Sequence, residues 1–177
     1  MRRARLILLT GGLATLDACA PPGGPGRGGF NPVPLSGEPV YVNPPSVPQL
    51  NGVSAAVKIG LVLYISAQVP MDTAGRLVAP GDLAGQATQA LDNLFAVVRA
   101  ARGVPPDLVK LTIYHLTVSA DQIGILRDAV VARFPPGKAP AVTLVSVPSF
   151  PVPDLLLTIE GVAMLRGEFP DRARDRP

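Results

Sequence analysis

The chain has 177 residues, 47% apolar, 16% charged and 5% aromatic, with a formal net charge of +3; this suits one small domain with irregular segments attached. One Cys and one His exclude an intrachain disulfide framework and a structural zinc site, which needs about four Cys or His ligands. The absence of Trp and of any Lys/Arg block in the middle of the chain argues against nucleic acid as a partner despite the positive charge.

Arg2, Arg3 and Arg5 precede a short apolar stretch, Leu6 to Leu16, too short for the roughly 20 residues that span a bilayer. A basic start, a short apolar core and small residues before Cys19 have the layout of a secretory signal over residues 1–18. Leu16-Asp17-Ala18-Cys19 resembles the lipobox of bacterial lipoproteins, with Asp17 departing from the small or apolar residue usual there. The expectation is an exported, periplasmic protein held on the outer membrane by a lipidated Cys19, or a cytoplasmic one if the true start lies downstream. Loss of residues 1–18 removes three Arg and one Asp, and the net charge falls to +1.

Residues 19–50 are rich in Pro and Gly and read as a solvated tether, since this composition neither holds a helix nor buries a core. Gly24-Pro25-Gly26-Arg27-Gly28-Gly29 matches the dinucleotide fingerprint by letter, but no strand precedes it and no helix follows, so it is read as chance.

The folded domain is placed at residues 51–166. Two β-rich runs, 56–59 and 61–66, flank Gly60 and predict a hairpin. Asp82 is placed to cap a helix whose apolar positions Leu83, Ala87, Leu91, Leu94, Val98 and Ala101 form one stripe, stopped by Gly103 and Pro105-Pro106. A strand follows over 109–118. Asp121 is placed to cap a second helix bearing Ile123, Leu126, Val130 and Phe134, and Pro135-Pro136-Gly137 ends it. Strands at 141–147 and 155–165 complete the order β-β-α-β-α-β-β, an α+β domain with one sheet covered by two helices. The sheet's other face is also largely apolar, which predicts oligomerisation. Residues 167–177, mixed in charge, read as a disordered tail.

Several of these segments carry a family resemblance. Val57-Lys58-Ile59-Gly60, Tyr64-Ile65-Ser66-Ala67-Gln68-Val69-Pro70, Gln86 through Leu94, Val109 through Tyr114 and Ile159-Glu160-Gly161-Val162-Ala163 are similar, in order and spacing, to the RidA family, also called YjgF. The resemblance implies a chorismate-mutase-like homotrimer with small-molecule clefts between subunits. In the active members it implies cofactor-free and metal-free hydrolysis of reactive imines and enamines to 2-oxo acids and ammonia.

The family's site residues transfer unevenly. Val142, in Pro140-Ala141-Val142-Thr143, stands where the family has the Arg whose fork holds the substrate carboxylate. Val53 stands at the cleft Tyr, Thr158 at the Glu that positions water, and Arg127 at an Asn of the second helix. Ser66 matches the cleft Ser, and Glu160 matches a second, more structural Glu. The expected cleft lining is therefore Val53, Ser66, Arg127, Val142, Thr143 and Thr158, with Ser66 and Glu160 as the candidates for any remaining catalysis. Glu160 is expected to pair with Lys58, Lys110 or a neighbouring subunit, and His115 to be a half-buried strand residue. The resulting reading is a ligand-binding protein without the usual deaminase chemistry. An imine deaminase and a non-catalytic envelope scaffold are the alternatives.

Overall fold

The computed structural model describes residues 37–116 and 119–166; the predicted signal, Cys19, the first part of the tether and the tail lie outside the described residues. Among these residues the elements are β1 (Val40–Val42), β2 (Ala56–Ile59), β3 (Val62–Gln68), α1 (Leu83–Ala100), β4 (Leu108–Leu116), α2 (Ala120–Val131), β5 (Ala141–Val147) and β6 (Leu157–Met164), with a 3-10 turn at Pro105–Asp107. They form one sheet in the order β1-β2-β3-β6-β4-β5. All neighbours are antiparallel except β4 and β5, which the helical crossover through α2 makes parallel, as such a connection requires.

The hairpin forms as expected. Gly60 takes φ 57 at the first of its two turn residues while Leu61 stays out of the left-handed region, the pattern of a type II′ turn that suits the twist of paired strands. The Asp82 carboxylate accepts from Ala84 N at 3.0 Å and caps α1. The predicted stripe is buried along its whole length, and each fully buried Leu contributes about 1.5–3 kcal/mol. Both helices lie on the same side of the sheet: Phe95 of α1 meets Phe134 edge-on at 5.8 Å, and Asp92 of α1 takes Arg133 just beyond α2 at 2.8 Å.

Three local expectations are corrected. Residues 40–50 are not tether: Val40-Tyr41-Val42 pairs with β2, Val47 is buried in the core, and Asn43 Oδ1 accepts from Ala55 N at 2.8 Å. Two β-branched residues and an aromatic favour an edge strand even inside a Pro-rich segment. At the end of α1 the left-handed residue is Arg102, φ 65, rather than Gly103. Gly103 is needed for room instead, since a Cβ there would lie 2.6 Å from Leu165 Cδ2 and 2.9 Å from Val98 Cγ1. The cap of α2 is Ser119, not Asp121. Ser119 and Gln122 form a reciprocal capping box, with Ser119 N donating to Gln122 Oε1 at 2.9 Å, which satisfies two otherwise orphaned donors.

Candidate functional site

Side chains alternate across the sheet, and this alternation sorts the predicted site residues. On β4, Leu111, Ile113 and His115 are buried beneath the helices, while Lys110, Thr112 and Tyr114 face the opposite, open side. Register carries this to β6, where Glu160 lies opposite Thr112 and Thr158 opposite Tyr114, and to β5, where Thr143 lies opposite Thr112.

The open side has a concavity of about 500 Å³ walled by Tyr64, Ser66, Lys110, Thr112, Glu160 and Val162. Ser66 and Glu160, the two candidates for catalysis, thus share one space. Their hydrogen bonds decide what each can do. Ser66 Oγ donates to the Ala55 carbonyl at 3.0 Å and receives Gln68 Nε2 at 3.4 Å. No basic group takes its proton, so it is a polar wall rather than an activated nucleophile. Glu160 Oε1 accepts from the Tyr114 hydroxyl at 3.1 Å. The expected Lys partner is corrected: Lys110 Nζ bonds Thr143 Oγ1. Tyr114 shares a face with Glu160 in neighbouring strands, a relation invisible until their register is known.

The hydrogen bond to Glu160, then its negative charge and then burial, push the Tyr114 hydroxyl above the ordinary value of 10.0. A group whose folded value is raised stabilises the fold fully below the unfolded value and loses that contribution as pH rises through the folded one. Glu160→Gln removes the charge, so spectrophotometric titration is expected to show the Tyr114 phenolate forming at lower pH than in the wild type. An unchanged Tyr114 titration would contradict the pairing.

On the helix side a second groove runs between α2 and β5. Its volume is about 270 Å³, and its walls include Ile113, Ile123, Leu126, Val131, Val142 and Leu144. Arg127 is also at this groove, but its Nε and Nη2 both reach Asp128 Oδ1 at 2.9 Å. Val53, more than half exposed, lines a small hollow with Ser66, Gln49 and Gln68 at the β1–β3 end of the sheet, away from β5. Thr158 is buried on the open side of β6.

The six predicted cleft residues are therefore not together within one chain. Val142 and Arg127 share the α2–β5 groove, Val53 and Ser66 share the hollow, and Thr143 and Thr158 face the open side. His115 is fully buried rather than half-buried, with Nδ1 2.6 Å from the Leu116 carbonyl oxygen. Among the described residues no three His, Cys, Asp or Glu gather as a metal would need, and no helix is long and apolar enough to cross a membrane.

Sequence reasoning also passed over two buried amides. Asn93 Nδ2 donates to the Val69 and Met71 carbonyls at 2.8 and 2.9 Å, and Gln86 ties α1 to the segment before β6. Each lies on the helix face that carries the apolar stripe, which is the only signal the sequence offers of their burial.

Comparison with known proteins gives a consistent picture. The family profile described as Endoribonuclease L-PSP matches residues 46–165. A RutC family protein of Pyrococcus horikoshii is 31% identical over 110 residues, covering 62% of this chain and 84% of that protein. The 2-iminobutanoate/2-iminopropanoate deaminase of Rattus norvegicus is 31% identical over 98 residues, covering 55% of this chain and 69% of that enzyme. The crystal structure of RidA from a Psychrobacter species superposes with a TM-score of 0.64 at 26% identity, over 71% of this chain and 99% of that one.

Proposed function

Because the chain belongs to the RidA/YjgF (Endoribonuclease L-PSP) family, we propose that it forms small-molecule clefts between copies and lacks the deaminase chemistry of the active members. One copy supplies the α2–β5 groove with Val142, and its neighbour supplies Val53, Ser66 and Thr158. The separation of these residues on two sides of one sheet favours a cleft completed by a second copy, since no single chain can close it.

The observation that carries the loss of activity is the groove around Val142. Its neighbours there are aliphatic, and the guanidinium of Arg127 is already engaged by Asp128. A substrate carboxylate entering this groove would leave water for mostly aliphatic walls, with the Nε–Nη2 edge of Arg127 already taken by Asp128. A hydrogen bond to a charged group contributes roughly 1.5–3 kcal/mol, so the missing forked pair removes about 3 kcal/mol of anion binding. Thr158 cannot replace a carboxylate in orienting water, because a hydroxyl carries no charge to polarise it.

Ammonia release from freshly generated 2-iminopropanoate is expected to proceed at the uncatalysed rate in the presence of the protein. A rate well above background, abolished by Ser66→Ala, would instead establish the deaminase alternative.

A further inference from the structure

Resting on that reading of the cleft, we propose that the α2–β5 groove is a receptor for an uncharged aliphatic ligand, and that Val142 with its neighbours selects this class against the anions taken by active relatives.

Three features of the groove point to this occupant. Its walls are stiff: Ile113, Ile123, Val131 and Val142 are β-branched, with few rotamers to lose on binding. Ile123, Val131 and Val142 are 41%, 52% and 42% exposed, so three apolar side chains converge on one opening instead of being scattered. Charge is the third feature. The only cation lining the groove among the described residues, Arg127, already turns its Nε and Nη2 to Asp128 Oδ1 at 2.9 Å, and every other wall residue is aliphatic, so an anion moving along the groove leaves water for apolar side chains, which is unfavourable.

Size limits the ligand further. At roughly 30 Å³ per water-sized group, about 270 Å³ holds about nine non-hydrogen atoms, the size of heptanamide. The preformed walls favour a short chain lying along the aliphatic side chains, its polar head left at the mouth where the neighbouring copy's Ser66 would stand.

Calorimetric titration of the full protein with straight-chain primary amides from butanamide to decanamide tests this. Affinity should rise about fourfold per methylene and level off near heptanamide, with a negative heat-capacity change. Heptanoate should bind at least tenfold more weakly than heptanamide. Val142→Asn and Ile123→Asn, both at exposed positions where the fold tolerates change, should each weaken heptanamide binding about tenfold.

Absence of binding, equal binding of heptanoate, or an affinity that keeps rising to decanamide without levelling would each overturn the proposal. So would a Val142→Asn variant that changes the oligomeric state without affecting amide binding, which would mean that a second copy fills the groove. None of these results bears on ammonia release, so the reading of the cleft as inactive stands or falls separately.

Discussion

Gln86→Ala is expected to lower the unfolding free energy by about 3–5 kcal/mol. Gln86 is fully buried, and its amide works in both directions. Nε2 donates to the Asp154 carbonyl at 2.7 Å and the Ala79 carbonyl at 3.3 Å, and Oε1 accepts from Leu156 N at 2.9 Å. Alanine leaves the Asp154 carbonyl and Leu156 N without this partner, at about 1–3 kcal/mol each where water cannot reach them, while the Ala79 carbonyl keeps Asp82 N at 3.0 Å. Two of the partners carry strain of their own: Ala79 at φ 51 and Asp154 at φ 60 are left-handed residues without being Gly. Such residues persist only where the surroundings hold them, and one amide holds both. Urea denaturation measures the loss, and hydrogen exchange at Leu156 N should accelerate with it. Thr88→Ala, at an exposed position of the same helix, should stay within about 0.5 kcal/mol of wild type. A Gln86→Ala cost below 1 kcal/mol would mean that water substitutes for the amide.

The same residue shows where sequence reading ends. The stripe from Leu83 to Ala101 predicts α1 and its buried face, and Gln86 falls on that face one turn beyond Leu83. Its partner at residue 154 cannot be read, because it depends on how the 148–156 segment returns to the sheet. Secondary structure was legible wherever period and punctuation agreed, as at Gly60, Asp82 and Pro135-Pro136-Gly137. It failed where local composition misled: Val40-Tyr41-Val42 is hidden between prolines, and three residues give no period to detect. Asp121 reads as the cap because the first apolar residue of the second stripe, Ile123, follows it closely. Ile123 faces the groove instead of the core, and the buried face begins at Leu126. The family is legible from ordered motifs, and the profile match agrees with it. The site is legible only as a set of residues, because neither register nor the side of the sheet on which each residue falls is written in motif spacing. Glu160 illustrates the limit: the apolar strand around it predicts that it needs a partner, but within the chain that partner is the Tyr114 hydroxyl across the strand pair, while Lys110 turns to Thr143.

Val142→Arg should raise affinity for pyruvate about 100-fold, since about 3 kcal/mol of forked, charge-assisted hydrogen bonding corresponds to a little over two decades. The side chain at this position is 42% exposed, so a guanidinium can enter without a core penalty. Ammonia release should nevertheless stay at background, because binding the carboxylate does not supply the group that orients water. That role requires Thr158→Glu on the open side of β6, where the Tyr114 hydroxyl is already committed to Glu160 and a lone carboxylate loses stability through burial. The two changes together should release ammonia from 2-iminopropanoate above background, while either alone should not. The two positions lie on opposite sides of one sheet, which turns the pair into a test of the cleft itself. If the cleft joins two copies, co-refolding equal amounts of the two single variants places an Arg half opposite a Glu half in about a quarter of the interfaces of a random closed ring. The mixture should then show about a quarter of the double variant's activity. Activity in the double variant with none in the mixture would place both functions in a single chain and end the intersubunit reading.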